Sequence, residues 1–141
     1  MRRIVMSAWI FLASASGAVW AEDFYKGKTI TIINSTGNGG SYYNIAQAMA
    51  RHMPKYIPGS PAIIVKSMPG GGNVLATNFM YVSAPKDGTY IATINNSIPL
   101  HQALDGRGIQ YDVTKFNWLG STGTYNSIAY VWSKIGFRTI Q

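Results

Sequence analysis

Cysteine is absent from all 141 residues. This excludes a disulfide framework, a thiolate metal site and a cysteine nucleophile. Carboxylates are almost as scarce: Glu22, Asp23, Asp87, Asp105 and Asp112 are the only five. Asp87 lies in "KDG" and Asp105 in "DGRG", contexts that favour turns. Asp112 follows a tyrosine in an irregular stretch, and Glu22 and Asp23 stand together near the start. No carboxylate pair is indicated for acid–base work. The two histidines, His52 and His101, belong to no "HExxH", and "GxSxG" is missing too. No catalytic residue, metal ligand or cofactor is predicted.

Long apolar runs are also wanting. The longest opens the chain, "MRRIVMSAWIFLASASGAVWAEDF": Arg2 and Arg3, an apolar stretch from Ile4 to Ala13, then small residues up to Ala21. This is the layout of a secretory leader cut after Ala21. A membrane span needs about 20 predominantly apolar residues, and Ser14, Ser16 and Gly17 interrupt well before that. The expectation is export, with a periplasmic mature protein of one domain, about 120 residues.

Loss of Arg2 and Arg3 with the leader leaves ten basic residues against five acidic ones, a formal charge of +5. The positive charges are spread singly, from Lys26 to Arg138. A nucleic-acid partner would call for a cluster, so none is expected.

Hydrophobic residues make up 47% of the chain, enough for a core. From Lys28, "KTITII" reads as a strand and "NSTGNGGSYY" as a glycine-rich loop. A helix follows, with Ile45, Met49 and Met53 on one face and Ala46 and Ala50 beside it. Pro54 and "IPGSP" end that helix, and the continuous apolar run in "AIIVKS" predicts a strand covered on both faces. The loop "SMPGGGN" leads to a second helix from about Asn73, with Leu75, Phe79 and Val82 at i, i+4 and i+7. "APKDG" turns the chain into a third strand, residues 89 to 95.

Alternation of this kind predicts an α/β fold, an open, mostly parallel sheet with helices on both faces. Beyond it, "NNSIPLHQAL" reads as a loop and short helix, and "DGRGIQYDVTKF" as irregular. "NWLGS" and "SIAYVWS" read as two more strands, with Trp118, Tyr125, Tyr130 and Trp132 in the core.

The two glycine loops leave the carboxyl ends of neighbouring strands, the edge where open α/β sheets bind ligands. Bare backbone lets N–H groups converge, and each following helix adds unpaired donors with partial positive charge. Two such loops form an anion cradle; the alternative is that the glycines only serve turns. If they act as donors, Gly71→Pro removes binding without altering helix content. "GNGGSY" lacks the third glycine of G-x-G-x-x-G and neither loop ends in Gly-Lys-Ser/Thr, which argues against a nucleotide.

Four blocks in order, "FYKGKTITIINSTGNGG", "IIVKSMPGGGN", "APKDGTYIAT" and "YDVTKFNWLGS", resemble the substrate-binding proteins of tripartite tricarboxylate transporters, the Bug-type periplasmic receptors. The resemblance implies the first lobe of a two-lobed Venus-flytrap fold: leader at 1–21, partial α/β lobe at 22–132, and the start of a crossover to a second lobe at 133–141. Family members are longer, so the lobe is expected to be incomplete here.

It further implies a small organic carboxylate held by backbone N–H groups, and a membrane permease of the same system as partner. By position the ligand contacts are Thr36, Gly37, Asn38, Gly39, Gly40, Ser41 and Tyr42, then Gly70, Gly71, Gly72 and Asn73, with Asn95, Asn96 and Ser97 closing the site. Many relatives have an aspartate at about Tyr43, and its absence argues against amino acids as ligands. Two other readings stand beside this one: an exported enzyme using His101 and Asp105 or groups beyond this chain, and a ligand-sensing interaction module.

Overall fold

The computed structural model describes residues 24–104 and 106–123. The predicted strand "SIAYVWS", with Tyr125, Tyr130 and Trp132, lies outside them. So do the leader, Asp105 and the predicted crossover at 133–141.

Three parallel strands form the sheet: β1 (Thr29–Asn34), β2 (Ala62–Ser67) and β3 (Tyr90–Thr93), in the order β2-β1-β3. The β-branched run "TITII" places isoleucines at successive positions of the central strand. Ile30, Ile32 and Ile33 are fully buried, so both faces of β1 are covered. Each contributes on the order of 2 kcal/mol by leaving water.

The expectation for β2 needs correcting. Its residues alternate exposed and half-buried, and Ile64 remains 43% exposed. An apolar run marks a doubly covered strand only at a sheet's centre, and β2 sits at an edge.

Helix α1 (Ser41–His52) links β1 to β2 and packs against both. Ala46 is its buried residue, flanked by half-buried Ile45, Met49 and Ala50. Arg51 and His52 stand in its last turn, where cations meet the negative end of the dipole. Pro54, which lacks an N–H, opens a tighter helical turn at Met53–Tyr56.

The link from β2 to β3 departs further from expectation. Helix α2 (Val74–Asn78) has five residues and passes into a π-type turn at Phe79–Ser83. The wider turn breaks the 3.6-residue period on which the predicted stripe depended. Val82, within that turn, is 58% exposed, and Leu75 is 51% exposed because the α-helical part buries Ala76 and Thr77 instead. The Lys86 ammonium donates to the Met80 carbonyl beneath this turn.

Helix α3 (Ile98–Leu104) follows β3, and Ile98 is buried at its start. Tyr111 is buried as well, and its hydroxyl donates to the Ile98 carbonyl at 3.3 Å. The predicted strand "NWLGS" is not formed. Trp118 instead meets Phe116 edge-on, donates Nε1–H to the Val113 carbonyl at 3.0 Å, and stays 55% exposed. No helix among the described residues is long and apolar enough to cross a membrane.

Candidate functional site

All three strands run the same way, so their following loops gather at one edge of the sheet. Each strand ends there in a polar residue: Asn34, Ser67 and Thr93. The register puts Ser67 and Thr93 directly opposite Asn34, forming a polar row across the sheet.

Asn34 is the hub of that row and is 0% exposed. Its Nδ2 donates to the Thr36 carbonyl at 2.7 Å and to Ser67 Oγ at 3.2 Å. Its Oδ1 accepts from the hydroxyls of Thr36 at 3.2 Å and Thr93 at 3.3 Å. One amide thus ties three strand ends and the first loop together. The neighbouring Ser35 is also buried, and its hydroxyl has no partner among the described residues. A buried hydroxyl left in that state costs about 1–3 kcal/mol.

The loops are linked to one another above this row. Ser67 Oγ donates to Asn38 Oδ1 at 2.7 Å, joining the end of β2 to the first loop. The Asn96 N–H donates to the Tyr42 hydroxyl oxygen at 3.4 Å, joining the turn after β3 to the start of α1. The second loop meets α3, since a Cβ added to Gly72 would stand 3.1 Å from His101 Cε1.

The candidate positions therefore lie on one edge, with distinct local roles. Thr36 spends its hydroxyl on Asn34, and Gly37, Asn38, Gly39, Gly40 and Ser41 form an exposed arc leading into α1. No side chain caps α1 at Gly40. Asn95 Oδ1 accepts the Ser97 N–H at 2.9 Å, so that side chain holds the start of α3.

In the second loop the backbone runs left-handed through Gly70, Gly71, Gly72 and Asn73, at φ +147°, +54°, +64° and +78°. These glycines are needed for the turn itself. The expectation of open donors at the following helix is not met. Asn73 N–H is given to the Gly70 carbonyl at 3.0 Å, Leu75 N–H reaches the same oxygen at 3.4 Å, and Val74 N–H goes to the Gly71 carbonyl.

Strand order also shifts the weight between loops. The chain leaves β1 towards β2 on one side and occupies the other side only with β3. The point where this direction reverses, between β1 and β3, is where open α/β sheets form a crevice. The first and third loops flank it, and the Tyr42–Asn96 bond spans it. The pairing of first and second loops read from the sequence is thereby reordered.

Sequence reasoning missed Asn34, Ser35, Ser67 and Thr93. A signal existed: each strand closes on a residue with a hydrogen-bonding side chain, visible once the strands are aligned at their carboxyl ends. No acidic side chain occurs at positions 35–40, 68–73 or 94–97, so no carboxylate in these segments repels an anion. Among the described residues no group of three or more His, Cys, Asp or Glu gathers as a metal site would require. No protein-family model, curated protein or solved structure matches the chain.

Proposed function

We propose that the protein is an exported receptor that captures a small organic carboxylate. On this reading the described domain is the first lobe of a two-lobed Venus-flytrap fold, and its membrane partner is a tripartite tricarboxylate-type permease. One observation carries the proposal: three loops free of acidic side chains converge at the carboxyl edge of a parallel sheet, pinned by the buried amide of Asn34. Such an edge suits an anionic oxygen, which backbone and amide N–H groups hold in charge-assisted bonds. The resemblance of four sequence blocks to the Bug-type receptors supports the same ligand class and the same partner.

Titration calorimetry and thermal denaturation of the full chain with di- and tricarboxylates test this. A bound ligand at a hundredfold excess over its Kd raises stability by about 2.7 kcal/mol. Absence of heat and of any thermal shift with every carboxylate would remove the reading. Amino-terminal sequencing of exported protein checks the cut after Ala21, and crosslinking in membranes checks the permease.

A further inference from the structure

The hydrogen bonds around Asn34 have a direction that can be read without reference to any ligand. The carbonyl oxygen of Thr36 can only accept, so the Asn34 atom 2.7 Å from it is Nδ2. The other Nδ2 proton points to Ser67 Oγ at 3.2 Å. Oδ1 is left to receive the hydroxyls of Thr36 and Thr93, as it does. All four positions of this amide are filled.

Ser67 Oγ, having accepted from Asn34, has a single proton of its own to give. Its neighbour at 2.7 Å is the Asn38 side chain, whose Oδ1 receives it; with the amide reversed, Oγ would accept a second time and its own proton would lose this partner. Nδ2 of Asn38 is the other branch of that amide and is turned away from Ser67, in an exposed loop.

We infer that Asn34, acting through Ser67, sets which end of the Asn38 amide the first loop presents. The loop then offers N–H donors and favours an anionic oxygen over a neutral group of the same shape. Asn34 and Ser67 are positioning residues, and Asn38 is the one that faces the ligand. The selectivity rests on the carboxylate reading above, whereas the orientation of Asn38 does not. The relay begins at a backbone carbonyl, so the fold imposes the sense of the Asn34 amide, and pairing of the Ser67 proton favours that of Asn38.

Nuclear magnetic resonance on the labelled full chain reads the relay directly. In the natural protein the Asn38 Nδ2 protons show no Overhauser contact to the Ser67 Cβ protons. In Asn34→Asp the carboxylate accepts the Ser67 proton, Oγ becomes the acceptor for Asn38, and that contact appears. A milder variant, Ser67→Ala, leaves the Asn34–Thr36 bonds in place and releases Asn38, moving its two side-chain amide resonances towards those of a freely turning asparagine.

Succinate and its neutral diamide then measure selectivity. Ser67→Ala and Asn38→Ala each lower the preference for succinate several-fold, and the double variant lowers it no further. An unchanged Asn38 orientation in both Asn34→Asp and Ser67→Ala overturns the relay, even if succinate binds. Additive losses in the double variant overturn it too. The expected Overhauser pattern with no binding of any di- or tricarboxylate overturns the anion selection and the receptor reading together.

Discussion

The hydroxyl oxygen of Tyr42 accepts the backbone N–H of Asn96 across 3.4 Å, joining the first turn of α1 to the turn that follows β3. The two residues are 54 positions apart and flank the point where the sheet changes direction. Tyr42→Phe keeps the ring and removes the acceptor. The bond is long and exposed, so the loss of stability is about 0.5 kcal/mol. Amide exchange at Asn96 should accelerate while exchange in β1 does not change. Unaltered exchange at Asn96 would show that the link does not hold the crevice.

Two glycines of the first loop need no glycine for their backbone. Gly37 and Gly40 lie outside the positive-φ set. A Cβ on Gly37 meets nothing, and one on Gly40 meets Thr36 Oγ1 at an ordinary 3.6 Å. Gly37→Ala and Gly40→Ala should therefore change stability by no more than about 0.5 kcal/mol in urea denaturation. If a ligand approaches this backbone closely, the added methyl group lowers succinate affinity several-fold. Equal affinity would assign both glycines to chain flexibility alone.

The second loop behaves oppositely. At Gly72 an alanine would adopt φ +64° and crowd His101 Cε1 at 3.1 Å. The left-handed backbone alone costs about 1–2 kcal/mol for an L-residue. Adding His101→Ala should recover the crowding and leave the backbone penalty, which chemical denaturation of the three variants resolves. Gly71→Pro is a poor test of donor function, because φ +54° is closed to proline. Any loss of binding in that variant would follow from a broken turn.

Asp87 and Asp112 predict an acid limb of stability. Each carboxyl is held below its ordinary value of 3.8, first by the threonine hydroxyl two residues on and then by the N–H of that threonine, Thr89 and Thr114 respectively. The Oδ1 contacts are short, 2.6 Å to each hydroxyl. A carboxylate with a depressed folded pKa stabilises above its unfolded pKa and loses that contribution as pH falls through the folded one. Thermal midpoints should therefore drop as pH falls through the ordinary value of 3.8 and the lowered folded values beneath it, and less steeply in Thr89→Val and Thr114→Val. Equal slopes in all three proteins would refute the assignment.

The sheet was legible in the sequence because its cause is local. "TITII", "AIIVK" and "YIAT" are β-branched or aromatic runs between glycine and proline breaks, and all three became strands. Position within the sheet was not legible, and so the exposure of Ile64 on an edge strand went unforeseen. "NWLGS" has strand-like residues but no strand. Phe116 and the Val113 carbonyl engage Trp118 locally, which composition does not reveal.

The loops of the site were legible from glycine, whereas its hub was not. Asn34 reads as the first polar residue of a turn, and only the registers with Ser67 and Thr93 make it a buried junction. The period of α2 failed for a related reason. The π-type turn at Phe79–Ser83 alters the angular spacing of side chains without any proline or glycine to announce it.

At Gly72 the backbone has φ +64° and ψ +34°, the mirror image of a right-handed helical residue. The chain there, as at the neighbouring Asn73, is of the opposite handedness to α2, which begins two residues later. Handedness at this position is thus a chemical property that can be supplied from outside the genetic code. In a chain assembled by synthesis and ligation, D-alanine at Gly72 would adopt this backbone without the torsional strain that L-alanine meets. A loop that twenty natural side chains restrict to glycine is in this respect open to their enantiomers.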